Sequence, residues 1–178
     1  MKKLLILLFC FVFIAGCSQV EPPDDGEVAA AYQSALEVMF WFTFDGMPYG
    51  SEGYQEIDAM RYDKVTHPEI QTMTALREHL ENIFIVSFVD DLLADGKFRD
   101  IDGSLYVMGA ARGANIFKGD ETYEIIRESD TKIIYRVTVE DLHLPETGDP
   151  IVIDYTTHDM VYESIGGKWV FSHFEMVR

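Results

Sequence analysis

Five histidines, two cysteines and several close carboxylate pairs are the residues of this chain whose types could do chemistry. The carboxylate pairs are Asp24-Asp25, Asp90-Asp91, Asp100 with Asp102, and Asp120-Glu121. Such a pair does acid–base work only in a dry cleft that separates the two pKa values. With 31 acidic residues against 14 basic ones, neighbouring carboxylates on solvated faces arise by chance, and that plainer account is preferred here. His67, His79, His143, His158 and His173 are scattered along the chain. A hairpin register puts His158 opposite Glu175 and diagonal to His173, but a metal site needs a further ligand that the spacing does not supply. GxSxG, HExxH, CxxC and GxGxxG are all absent. Residues 109–119 (GAARGANIFKG) are glycine-rich but lack the GxxxxGK pattern, with Lys118 badly placed for a phosphate. The chain is therefore expected not to be an enzyme and to need no cofactor or metal.

The cysteines point elsewhere. Lys2 and Lys3 precede an apolar run over residues 4–14, which is shorter than the roughly 20 residues a membrane span needs. Ile14-Ala15-Gly16-Cys17 then resembles a bacterial lipobox, in which the cysteine thiol takes a diacylglyceryl group and becomes the mature N-terminus. The expected organisation is a lipoprotein signal over 1–16, a lipid-anchored tether over 17–26 and a single domain over 27–178. Two acyl chains anchor stably where one does not. Removing Lys2 and Lys3 leaves 12 basic against 31 acidic residues, a net of −19 where the full chain carries −17. Cys10 leaves with the signal, so no thiol remains for a disulfide or a nucleophile. Nucleic acid is excluded as a partner, because no basic patch exists to neutralise phosphates. The acidity instead suits a basic-surfaced protein partner and projection away from anionic headgroups, on the extracytoplasmic side of the membrane.

Any such partner would be met by a scaffold of helices and strands. Residues 27–42 read as a first helix, capped by Asp24 or Asp25, with Val28, Tyr32, Leu36, Met39 and Phe40 at helical spacing. Residues 39–42 (MFWF) are apolar all round, which predicts a deeply buried last turn. A loop over 45–54 and a short strand over 57–65 follow. A second helix starts at Pro68 or Thr72 and runs to Phe84. A third is expected over 88–94, capped by Ser87, with Asp90 and Asp91 in its first turn and Gly96 beyond its end. Asp102-Gly103 is a strong hairpin signal within 97–108.

The C-terminal third reads as a four-stranded antiparallel meander over 121–129, 132–140, 151–163 and 168–177. Its turns are Asp130-Thr131, the 144–150 loop and Gly166-Gly167. Ile133, Tyr135, Val137 and Val139 alternate with Arg136, Thr138 and Glu140, which predicts one buried face and one wet face. Alternation falters at Thr156-Thr157, where a bulge is expected. The fold class is therefore α+β: N-terminal helices packed on a curved antiparallel sheet of four to six strands, as in cystatin-like or nuclear-transport-factor-like rolls.

Several motifs between Tyr62 and Phe171 together resemble one family. They are Thr72-Met-Thr74, Leu80 with Phe84, the 98–107 segment FRDIDGSLYV, 111–115 (ARGAN), 129–132 (SDTK) and 167–171 (GKWVF). The pattern is similar to the IseA, or YoeB-like, inhibitors of DL-endopeptidases, over about two-thirds of the mature chain. The resemblance implies a Gram-positive cell-envelope protein that binds NlpC-type cysteine peptidases and restrains autolysis. The lipobox departs from the freely secreted members of that family. The GGKWxF ending also resembles nuclear-transport-factor-like folds, which hold small ligands between sheet and helices, and a small-ligand-binding or sensory lipoprotein is the alternative expectation. For an inhibitor the projecting loops are 45–54, 109–120 and 144–150. The candidate partner-facing residues are Asp90, Asp91, Asp100, Asp102, Arg112, Asn115, Asp120 and Glu121.

Overall fold

The computed structural model describes residues 21–44, 47–50, 53–109, 113 and 115–177. The expected acyl acceptor Cys17, Arg112 and parts of the 45–54 and 109–120 loops lie outside them. The architecture is α+β, with three helices and antiparallel sheets, one of them curled into a half-barrel.

Helix α1 spans Asp25–Thr43. Asp24 caps it: its carboxylate accepts from the Glu27 backbone N–H, and the Glu27 side chain accepts from the Asp24 N–H. This reciprocal box satisfies two donors that a helix start leaves without partners. The buried stripe is Val28, Tyr32, Ala35, Val38, Trp41 and Phe42. The expectation that the whole last turn is deeply buried fails at Phe40, which is exposed and lies against Phe44. A helix packed on one side cannot bury four successive side chains. Lys97 is buried and its ammonium donates to the carbonyls of Phe42 (3.2 Å) and Phe44 (2.6 Å) at the helix's C-terminal end. A cation there complements the free carbonyls and the dipole.

The expected single strand at 57–65 is a hairpin of β1 (Gln55–Ile57) and β2 (Met60–Lys64). Asp58 and Ala59 turn it with φ of +52° and +62°. Helix α2 (Met73–Leu80) is capped by Thr72, whose hydroxyl accepts from the Ala75 N–H. Helix α3 is Val86–Ala94, preceded by Ile85 with no side-chain cap. Ser87 is therefore inside the helix, and Asp90 and Asp91 stand beyond its first turn, contrary to expectation. Gly96 follows with φ +81°. Strands β3 (Phe98–Ile101) and β4 (Ser104–Met108) turn at Asp102-Gly103, both at positive φ. These four strands make a first sheet in the order β1-β2-β4-β3.

The meander makes the second sheet, ordered β5 (Lys118–Ser129), β6 (Lys132–His143), β7 (Ile151–Ile165), β8 (Lys168–His173). Among the described residues eight strands in two sheets thus replace the expected single sheet of four to six. One apolar cluster joins them, drawing on α1, both sheets and the α2–α3 region. Ile133, Tyr135, Val137 and Val139 are all buried, as their alternation predicts, while Arg136 and Thr138 are half-buried. Arg136 on the other face clasps Asp159 across the strands with two bonds of 2.7 and 2.8 Å. Tyr32 of α1 stacks on Tyr135 at 4.3 Å, and Tyr123 of β5 stacks on the same ring at 5.5 Å. The free side of β8 is taken by the α2–α3 connector, where Phe171 and residues Ile83 and Ile85 exchange backbone bonds.

The last hairpin keeps the expected register from Ile165↔Lys168 to Tyr162↔Phe171, then slips by one residue so that Val161 faces His173. No bulge occurs at Thr156-Thr157, which pair regularly with Val139 and Thr138. The irregularities fall instead at Ser172 and at Ile153, each skipped by its partner strand.

Candidate functional site

The second sheet has two ends. At the β5–β6 turn end, Asp25 at the start of α1 pairs with Arg127 of β5 at 2.6 Å. Arg127 sits opposite Ile133. From Ile133 to His143, β6 then runs roughly 33 Å at the usual rise per residue. This far end carries the 144–150 loop and the start of β5 together. The Leu142 N–H donates to the Phe117 carbonyl at 2.8 Å, and Lys118 pairs with Asp141 at 2.5 Å. Leu142 and His143 face Val152 and Ile151.

Backbone turns shape this end. The Asn115 side chain accepts from the Phe117 N–H at 3.1 Å, and its carbonyl accepts from the Lys118 N–H. That turn thrusts Ile116 and Phe117 into solvent at 66% and 54% exposure. Across the strands Ile151, Val152, Ile153 and Tyr155 are also exposed, Ile153 and Tyr155 by more than 60%. Single exposed apolar side chains are ordinary, but several on adjacent strands mark an interaction surface. Gly119 permits the close pairing here: a Cβ on it would meet the Glu140 carboxylate at 2.6 Å and Leu142 Cδ2 at 3.0 Å.

On the face of the sheet that continues the core, the far end is polar. The Asp141 carboxylate accepts from Lys118 Nζ and from the Thr156 hydroxyl at 2.5 Å each, and Lys118 also reaches Thr156 at 3.3 Å. The hydrogen bond from Lys118, then that from Thr156, hold the Asp141 carboxyl below its ordinary range. Beside them His158 Nδ1 bonds Glu175 at 2.8 Å, although not as the expected cross-strand pair, since the register slips at Ser172 and β8 ends at His173; Nε2 is buried with no partner among the described residues. His173 is exposed and displaced by the slip at Ser172, so the diagonal His158–His173 arrangement does not form. Among the described residues no group of three or more histidines, cysteines or carboxylates is placed to hold a metal ion. His67 and His79 have local tasks. His67 Nδ1 accepts from the Glu69 and Ile70 N–H groups, and His79 stacks on Trp41 at 5.4 Å. Burial first, then the neighbouring His67, push the His79 pKa down.

The sequence-derived residues divide between regions. Asn115, Asp120 and Glu121 lie at the far end of the second sheet, and the Asp120 N–H donates to Glu140 at 3.1 Å. Asp100 and Asp102 belong to the β3–β4 turn of the first sheet, where the Asp100 carboxylate accepts from the Gly103 N–H. Asp90 of α3 is held by Arg77 at 2.7 Å, and Asp91 is exposed on the same helix. Acidity alone is therefore a poor guide to one surface. Sequence reasoning missed Ile116, Phe117, Ile151, Ile153 and Tyr155. The signal was residues 151–155 (IVIDY), whose apolar residues do not alternate with polar ones as a strand with one buried face requires.

A ligand pocket beneath the sheet would need several hundred Å³. The cavity between α1 and the sheet, lined by Ala31, Ser34, Asn82, Ile83, Tyr162 and Phe171, holds about 140 Å³. Larger depressions of about 450 and 380 Å³ are open grooves along α1 and at its start beside Tyr123. Among the described residues no helix is long and apolar enough to cross a membrane. Compared with models of protein families and with curated proteins, the chain matches none.

Proposed function

We propose that this chain is a cell-envelope lipoprotein, anchored through Cys17, that occupies the substrate cleft of a peptidoglycan DL-endopeptidase of the NlpC type and so restrains autolysis. The observation that carries the reading is the convergence of residues 115–120, the described end of the expected 109–120 loop, and the expected 144–150 loop on one end of a single sheet. An inhibitor of this kind needs a shaped projection on a rigid support, and no catalytic group of its own. The geometry also suits an anchored protein. The tether enters α1 at the Asp25–Arg127 end, and the far end stands roughly 33 Å of strand away from it. The motifs that resemble the IseA family supply the target class, and the acidity supplies its charge. A basic-surfaced peptidase would be steered toward this end, and association would slow with salt.

The test is hydrolysis of muropeptide stems by purified NlpC-type endopeptidases, with and without excess protein, at low and high ionic strength. Full inhibition that is reached more slowly in high salt is expected. Endopeptidases that run at full speed with excess protein would end the reading, and a small-ligand role would replace it. The anchor has a separate check. Cys17→Ala is expected to leave the membrane fraction, and unchanged fractionation would refute lipidation there.

A further inference from the structure

The far end of the second sheet carries exposed apolar side chains with carboxylates among them, Glu140 facing Tyr155 and Asp154 following Ile153, and these ask for a particular partner surface. Phe117, Ile151, Val152, Ile153 and Tyr155 are all exposed, on strands that adjoin through the Phe117–Leu142 bond and the Leu142–Val152 and Glu140–Tyr155 pairs. Residues 115–120 and 140–155 carry six carboxylates, Asp120, Glu140, Asp141, Glu146, Asp149 and Asp154, against the single cation Lys118. Lys118 is itself engaged by Asp141.

We infer that this end docks through its exposed apolar side chains into an apolar cleft that also carries basic groups, with contact area supplying the affinity and the carboxylates supplying rate and selectivity. The inference rests on the inhibitor reading and names the surface that performs it. Charge selects the occupant. An anionic membrane would be repelled by six carboxylates, and a second copy of the chain would bring six more against them. A cleft that combines apolar groups with lysine and arginine satisfies both kinds of side chain. Two other carboxylates from the sequence reading are already engaged, Asp90 by Arg77 and Asp100 by the Gly103 N–H of its own turn.

The experiment uses the full-length chain in detergent and, as probe, the purified catalytic domain of an NlpC-type endopeptidase, with binding kinetics read at about 50 mM and about 500 mM salt. The Phe117→Ser/Ile153→Ser variant is expected to lose about 30-fold or more in affinity at both salts, through faster dissociation. Asp149→Asn/Asp154→Asn is expected to lower the association rate by about threefold at low salt and hardly at high salt. Both variants change exposed side chains, and unchanged thermal melts show that the fold persists. If the native chain binds and the Ser variant binds equally, the inference is overturned and the inhibitor reading stands. If the native chain binds no such endopeptidase, the inhibitor reading fails and takes the inference with it. Loss of vesicle binding or of self-association in the Ser variant, with endopeptidase binding intact, would reassign the surface to lipid or to a second copy and overturn the inference.

Discussion

Strand β7 passes through two environments. Its last residues, around Met160 and Tyr162, alternate between core and solvent, and Met160 is fully buried. Its first five, residues 151–155, are exposed on both faces of the sheet. The two stretches are comparably apolar, so composition does not separate them. What separates them is cover. Helix α1 places Tyr32 on Tyr135, and the segment after β8 places Phe174 beside Tyr32 at 5.7 Å. Among the described residues none covers the start of β7, where residues 151–155 are all exposed. This strand serves as core at one end and as display at the other. The two ends are joined by continuous pairing, with one bulge at Ile153.

The largest effect should come from cutting the covered half. Phe171 is fully buried among Phe84, Tyr162 and Phe174. Phe171→Ala is expected to cost about 3–5 kcal/mol of unfolding free energy in urea titrations, because a cavity is left behind. A loss as small as that of an exposed substitution would erase the distinction between the halves.

Next comes the helix that provides the cover. Asp24→Ala removes the acceptor for the Glu27 N–H and is expected to cost about 1 kcal/mol, seen as a lowered melting temperature. Amides of 133–139 should then exchange faster while those of 151–155 hardly change.

Acid should sharpen the contrast in the other direction. Asp141 has a folded pKa below the ordinary 3.8, so its contribution is complete above that value. It is lost as pH falls through the depressed folded value. Hydrogen exchange at falling pH should therefore show residues 140–143 and 151–155 opening before residues 133–139, which are held by burial. Asp159 is lowered in the same sense by Arg136, but on strands whose opposite face is packed. Simultaneous opening would mean that the Lys118–Asp141–Thr156 cluster does not hold the far end.

The smallest effect belongs to the display. Ile153→Ala is expected to change stability by less than about 0.5 kcal/mol, since little apolar area leaves water there. A cost near that of Phe171→Ala would show that the far end is covered in solution.

Elements set by local chemistry were legible without a structure. A cap at Asp24 or Asp25, an entry to α2 at Pro68 or Thr72, the glycines Gly96, Gly103, Gly166 and Gly167 at positive φ, and the alternation of β6 all report short-range constraints, and the structure chose Asp24 and Thr72. Each depends on residues within a few positions, where steric and hydrogen-bond requirements leave few solutions. The buried set Ile133, Tyr135, Val137 and Val139 followed from period alone. Tertiary structure decided the rest. The slip at Ser172 moved His173 away from His158, a one-residue change that no local pattern announces. The division into two sheets depends on which strands meet, and it separated Asp100 and Asp102 from Asp120 and Glu121. The exposure of residues 151–155 depends on where α1 stops covering the sheet, a matter of packing between elements more than 100 residues apart in the chain. A strand pattern tells which side chains share a face. Whether anything lies on that face is decided by the other elements of the fold.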